Sequence, residues 1–232
     1  MAERVERSSR MIRGVLLDWR GTLVRDPDPE WWVQSALRRL QREPDPELVR
    51  EVVAQLGITE QLPAVQAARQ TADCSARQHR DSTLLWFSAA GLDPALADCL
   101  YDLDFDSSAH PYYDDVAPAL AAMKALGASV IVVSDIHFDL RLEVREKGLI
   151  DLIDDFVLSF EHGVQKPDPK MFELALRRLA LDAGAALMVG DQLKDAGALA
   201  VGIPTLLLPV EPGSTRGLDR VVSLIEGSAP AA

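Results

Sequence analysis

The sequence predicts an α/β fold: a doubly wound parallel sheet with an α-helical domain inserted after the first strand. Three observations carry that expectation. Short apolar runs alternate with amphipathic stretches of helical spacing. A block from 26 to 106 breaks the alternation and holds only helix-like segments. Polar residues recur just past the apolar runs, where a parallel sheet presents its ligand-binding edge.

The first run is Gly14–Leu17 (GVLL), which ends at Asp18 and is followed by the turn-forming Gly21 and Thr22. Later runs are 129–133 (SVIVV), 186–189 (ALMV) and 205–208 (TLLL), with a weaker one at 156–158. Helical spacing marks 116–126, 140–147 and 168–179 between them. In the inserted block, 30–40, 46–56, 62–87 and 94–101 read as helices. Asp-Pro pairs at 28–29, 45–46 and 93–94 suit an N-cap followed by proline at the first helical position. The expected division is an α/β core at 11–25 and 107–226, a helical cap at 26–106, and unstructured ends at 1–10 and 227–232.

Size and composition narrow the function. The 232 residues are 48% apolar, enough for a sizeable core. A formal charge of −12, from 36 acidic and 24 basic residues, disfavours binding to nucleic acid or an anionic membrane through net charge. The N-terminal stretch lacks an apolar signal-peptide core, and no apolar run approaches the roughly 18 residues of a membrane span, so a cytoplasmic protein acting on a small molecule is expected. Cys74 and Cys99 fit neither a disulfide framework nor a metal-binding pair and are read as packing residues.

The polar strand ends form one chemical set: Asp18, then Ser134 and Asp135, then Lys166 in GVQKPDP, then Gly190 and Asp191 with Asp195. A carboxylate there can attack phosphorus or carbon to form a covalent ester that water later hydrolyses. A lysine offsets the charge of nucleophile and substrate, and a serine hydroxyl can hold a phosphoryl oxygen. Clustered aspartates favour a hard cation such as magnesium.

These residues, Asp18-Trp19-Arg20-Gly21-Thr22-Leu23, Ser134, Lys166-Pro167 and Gly190-Asp191 with Asp195, resemble the four ordered motifs of the haloacid dehalogenase-like superfamily over residues 12 to 208. The subfamily with a helical cap after the first motif also resembles the 26–106 block. The resemblance implies a Rossmann-like core and an aspartyl-phosphate chemistry on a small phosphorylated metabolite. In it Asp18 is the nucleophile, Ser134 and Lys166 bind the phosphoryl group, and Mg2+ sits on Asp18, the Arg20 backbone carbonyl, Asp191 and Asp195. Thr22, Asp135, His79 and Arg80 are the candidates for substrate contact.

One position departs from that pattern. Family phosphatases carry a second aspartate two residues after the nucleophile as general acid, and this chain has Arg20, which stays protonated and cannot shuttle a proton. Losing such help costs about 10²- to 10⁴-fold. Three readings follow: a phosphatase in which Arg20 grips substrate or Asp135, His137 or Asp139 moves the proton; a 2-haloacid dehalogenase, whose halide needs no proton; and a catalytically weak or silent member that binds. Asp18-Trp19 before Gly21-Thr22 also resembles phosphonoacetaldehyde hydrolase, but that chemistry needs a cap lysine, and 25–110 contains none.

In the inserted block, Asp73, His79 and Arg80 could reach a substrate, while Trp31, Trp32, Trp86 and Phe87 read as cap core. His110 and His162 sit in loops, and the four scattered histidines give no metal-ligand spacing, so zinc is not expected.

Overall fold

A computed structural model describes residues 11–209 and 213–229. Five strands form one parallel sheet: β1 Gly14–Leu17, β2 Ser129–Ser134, β3 Asp155–Leu158, β4 Ala186–Gly190 and β5 Thr205–Leu207. Their spatial order is β3-β2-β1-β4-β5. The chain therefore moves outward from β1 in one direction through β2 and β3, then crosses back to β4 and β5. β1 stands at this reversal, where a doubly wound sheet opens a crevice beyond its carboxyl ends.

The central strands are mostly apolar because both faces are covered. Alternate residues serve the two sides. Val15, Leu17, Val130, Val132, Leu187 and Val189 pack against α6 (Val116–Ala125), α7 (Arg141–Glu146) and α10 (Asp219–Ser228). Leu16, Ile131, Val133 and Met188 pack against Met171, Phe172 and Ala175 of α9 (Pro169–Leu179). A four-residue helix, α8 (Ser159–His162), follows β3. α10 continues through Gly227 and Ser228, two residues into the tail read as unstructured, and the Ser228 hydroxyl accepts from Ile12 N at 2.9 Å. Residues 1–10 and 230–232 lie outside the described residues.

The inserted block is all helical: α1 Pro29–Arg39, α2 Pro46–Glu60, α3 Pro63–Arg69, α4 Ala76–Ala89 and α5 Pro94–Leu103. Each Asp-Pro pair starts a helix, with Asp28, Asp45 and Asp93 accepting from Trp31 N, Glu47 N and Leu96 N. Such a cap contributes about 1 kcal/mol. The helices bury their own core around Val33, Leu37, Val52, Phe87 and Leu100, with Trp32 and Trp86 packed at its margin.

The expected single helix over 62–87 is instead two. The chain breaks between α3 and α4 because a turn there docks onto the core: Asp73 N donates to Gln165 Oε1 (3.1 Å) and Asp73 O accepts from the Ser159 hydroxyl (2.5 Å). Ser75 then restarts the helix by accepting from Gln78 N. Helical periodicity on both sides hid a break imposed by tertiary contact.

Candidate active site

Strand register assembles the site. Leu17 pairs with Val132 of β2 and Val189 of β4, and Asp18 N donates to Val189 O at 2.9 Å. Asp18 thus stands level with Val133 and Gly190, with Ser134 and Asp191 one residue further along the neighbouring strands.

Lys166 closes the cluster from the loop after α8. Its ammonium donates to Asp18 Oδ1 and to Asp195 Oδ1, both at 2.6 Å, and all three side chains are almost fully buried. Burial, with Asp195 alongside, raises the Asp18 carboxyl above its ordinary range, while Lys166 opposes the rise. Burial works against the lysine's charge, but Asp18, Asp135 and Asp195 outweigh it and raise its pKa, so the ammonium stays charged.

The remaining strand-end groups divide into free and committed ones. Thr22 Oγ1 is buried with no partner, and the Ser134 hydroxyl makes only a long contact (3.4 Å) to Asp135 O. Asp135 is committed: Oδ1 accepts from Lys166 N (2.8 Å) and Oδ2 lies 3.1 Å from Lys194 Nζ. Through Oδ1 it holds the lysine loop in place, while Oδ2 has the Lys194 ion pair and no hydrogen bond.

The metal expectation meets a mixed donor set. Asp18, Asp191 and Asp195 bring carboxylate oxygens within 4.8 Å of one another. Asp191 Oδ1 is buried without a partner, and no hydrogen bond among the described residues ends on the Arg20 carbonyl. Three carboxylates face one lysine, so the residues present fit a hard divalent cation. Asp195 is already engaged on both oxygens, Oδ1 by Lys166 and Oδ2 by Asp191 N (3.1 Å) and Gln192 N (3.0 Å). Its geometry is that of a side chain orienting the lysine and the loop, with Asp18 and Asp191 left to face an ion.

Glycines let these groups meet. Gly21 has φ +80°, and a Cβ there would stand 2.3 Å from Asp191 Oδ2. A Cβ on Gly190 would stand 2.2 Å from Asp195 Oδ2. The buried Arg216 guanidinium donates to the carbonyls of Gly21 and Leu208, fixing the loop after Asp18 from behind.

Arg20 turns away from Asp18. Its Nη2 donates to Asp104 Oδ1 (2.8 Å) and lies 3.1 Å from His110 Nε2, whose Nδ1 is 3.2 Å from Glu143 Oε2. Burial alone would raise the Asp104 carboxyl, but Arg20, His110 and His137 together hold it far below the usual range. Arg20 and Asp104 also line a cavity of about 390 Å³ in the cap, walled by Leu56, Trp32, Trp86 and Tyr101. His79 lines it too, whereas Arg80 pairs with Asp98 (2.8 Å) on the outside and is not brought to the site. Asp139 pairs with Arg141 (2.9 Å) on the surface. His137 is buried near Asp104 (3.7 Å), and His162 is near Glu161.

Sequence reasoning missed Asp104, Glu143, Lys194, Gln165 and Arg216. Each acts through a partner between 33 and 195 residues away, so no local signal marks them.

Comparison with known proteins agrees with the fold. A model of the haloacid dehalogenase-like hydrolases matches residues 12–202. The haloacid dehalogenase-like hydrolase domain-containing protein 3 of Danio rerio is 30% identical, over 82% of this chain and 87% of its own length. The ribulose-1,5-bisphosphate 5-phosphatase of Halopiger xanaduensis is 34% identical over 114 residues, 47% of this chain and 48% of that protein, so the match spans about half its length. Among solved structures, a Thermococcus onnurineus phosphatase of the same superfamily superimposes with a TM-score of 0.60 at 21% identity, over 93% of this chain and 99% of its own. An L-2-haloacid dehalogenase from Xanthobacter autotrophicus gives 0.63 at 20% identity, over 85% and 78%. Those likenesses establish the fold. With its family model, its ordered motifs and its parallel sheet in agreement, the chain belongs to the haloacid dehalogenase-like hydrolases.

Proposed function

We propose that this hydrolase is a magnesium-dependent phosphatase of a small phosphorylated metabolite. The observation that carries the reading is the cluster of Asp18 and Asp195, both buried, with the half-buried Asp191, and Lys166 as the one ammonium that pairs with it among the described residues. Such a group is short of positive charge, and a dehalogenase, which needs no metal, has no use for the deficit. Relatives named as phosphatases, including the glyceraldehyde 3-phosphate phosphatase of Pyrococcus abyssi, 42% identical over 93 residues, support the same direction.

In this reading Lys166 holds Asp18 Oδ1 and leaves Oδ2 to attack phosphorus. The P–O bond to the leaving alcohol breaks as the aspartyl ester forms, and water then cleaves the ester to release phosphate. Lys166, the Ser134 hydroxyl and the unpaired Thr22 hydroxyl receive the phosphoryl oxygens. Asp18, Asp191 and the Arg20 carbonyl would hold Mg2+, which when bound neutralises phosphoryl charge. Asp195 keeps Lys166 aimed. The body of the substrate would extend toward the cap cavity that Arg20 and His79 line, where closure of the cap excludes water.

Arg20 supplies no proton, so esters with good leaving groups should turn over best. The test is phosphate release from an activated aryl phosphate and a panel of sugar phosphates, with and without magnesium, in wild type and Asp18→Asn. Release that requires both magnesium and Asp18 is expected. Halide release from a 2-haloacid without metal, or release indifferent to Asp18→Asn, would overturn the reading.

A further inference from the structure

Two histidines that lie far apart in sequence meet where the cap touches the core. His79, on α4, stacks on His137, in the loop after β2, with ring centroids 3.4 Å apart and planes 4° apart. Asp73, in the docked turn, places Oδ1 at 3.9 Å from His79 Nε2 and 4.0 Å from His137 Nδ1. One ligand atom from each residue falls within 4.8 Å of the other two.

None of the four ring nitrogens makes a hydrogen bond among the described residues, and His79 Nδ1 and His137 Nε2 are buried without partners. Each neutral ring carries one N–H and one lone pair, and buried polar atoms are ordinarily satisfied, so two rings without partners leave one open acceptor each for a ligand. Burial, and for His137 the neighbouring His79, lowers the two imidazoles to about 4 and about 3, which keeps them neutral and able to ligate near neutral pH.

We infer that Asp73, His79 and His137 form a second cation site, for a divalent transition ion such as zinc or cobalt, that bridges the cap to the core. Imidazole nitrogens with one carboxylate select such ions, whereas magnesium prefers an all-oxygen shell. The two sites therefore sort ions by chemistry, and they share no residue. In a tetrahedral site with bonds of ~2.0–2.1 Å, ligand atoms lie roughly 3.3 Å apart. Asp73 Oδ1, at 3.9 and 4.0 Å from the two ring nitrogens, has little distance to close, and the main adjustment falls on the rings. A ring nitrogen's lone pair lies in the ring plane, so the parallel stack opens by side-chain rotation as the ion enters. Asp73 is already fixed against the core through Gln165 and Ser159, which preorganises one of the two cap ligands.

An ion held there ties cap residues 73 and 79 to core residue 137 and restrains cap opening. The inference does not rest on the phosphatase reading: of its three residues only His79 also lines the cavity proposed for the substrate body, and ion binding is read without turnover. The test is titration of the full chain with Co2+ under saturating magnesium, followed by visible absorption, in wild type, His79→Gln, His137→Gln and Asp191→Asn. One equivalent should give an absorption band that both histidine variants lose and Asp191→Asn keeps. In wild type alone, adding Zn2+ should shift the imidazole resonances of His79 and His137 more than that of His162, which decides the matter even if a variant fails to fold. A band that survives both histidine substitutions, a band lost in Asp191→Asn, or unshifted His79 and His137 resonances would overturn the inference.

Discussion

Replacing Arg20 with methionine asks what this side chain does in the position where relatives carry an acid. The change keeps length and removes the donor 2.8 Å from Asp104 and 3.1 Å from His110. The Asp104 side chain is 14% exposed, so a largely buried carboxylate loses its cation, and His110, which pairs in turn with the 9% exposed Glu143, loses a neighbour. Breaking a fully buried pair by removing one partner costs about 3–5 kcal/mol. The Arg20 side chain is 34% exposed, and water around it brings the expected loss to roughly 2–3 kcal/mol. On a chain of this length that is a fall in Tm of roughly 4–12 °C. Asp104→Asn should cost less, because the amide oxygen still accepts from Arg20. Thermal and urea unfolding of wild type, both single variants and the double variant gives the coupling, expected above about 1 kcal/mol and within reach of a double-mutant cycle. Coupling below about 0.5 kcal/mol would refute the claim that Arg20 and Asp104 act as a unit. Arg20→Asp should be worse than Arg20→Met, because it sets a third carboxylate among Asp104 and Glu143 and does not simply restore a general acid.

Two further predictions rest on other parts of the site. His79 and His137 have folded pKa values near 4 and 3, below the ordinary 6.5, so they contribute stability that is complete above pH 6.5 and is lost as pH falls toward 4. Asp73, raised to about 6 by burial and by Asp135, works in the opposite direction over part of that range. Two groups outweigh one, and chelator-treated protein should show a lower Tm at pH 5 than at pH 7.5, with the difference reduced in His137→Asn; an unchanged Tm would count against buried neutral imidazoles. Gly21→Ala and Gly148→Ala both place a side chain at positive φ, +80° and +71°, and each should lose about 1–2 kcal/mol in equilibrium unfolding. Only at Gly21 does the new Cβ meet Asp191, 2.3 Å away, so only that variant should need more magnesium for half-maximal phosphate release. Equal magnesium dependence in the two would refute the packing argument.

Much of the sheet and its strand-end residues could be read in advance because each of those signals is local. Asp18, Ser134 and Asp191 follow their own apolar runs directly, and the parallel register then brings them together. The Asp-Pro helix starts were legible for the same reason: cap and first helical residue are adjacent in sequence. His79 and Arg80 show where that reasoning stops. They are neighbours on one helix, about 100° apart around its axis, and periodicity does not say which faces inward. The fold turns His79 to the cavity and Arg80 to Asp98. The histidines likewise looked scattered because His79 and His137, 58 residues apart in number, meet only when the cap docks.

Arg20 shows the same limit at the site itself. In sequence it is a missing acid, defined by what relatives have there. In the structure it is a cation with partners, and those partners explain its place. Residue 20 lies where the chain leaves the core for the cap, Asp104 directly follows the last cap helix, and His110 lies on the return segment. One guanidinium thus joins the outgoing and returning passages between the two parts, and Glu143 of α7 extends the link into the core through His110. Displacing the cap requires that this group move as a unit or that a partly buried ion pair break, at the cost of a few kcal/mol worked out above. The residue that stands in place of the family's proton donor therefore links the two passages between cap and core, and a proton for the leaving oxygen has to come from another group.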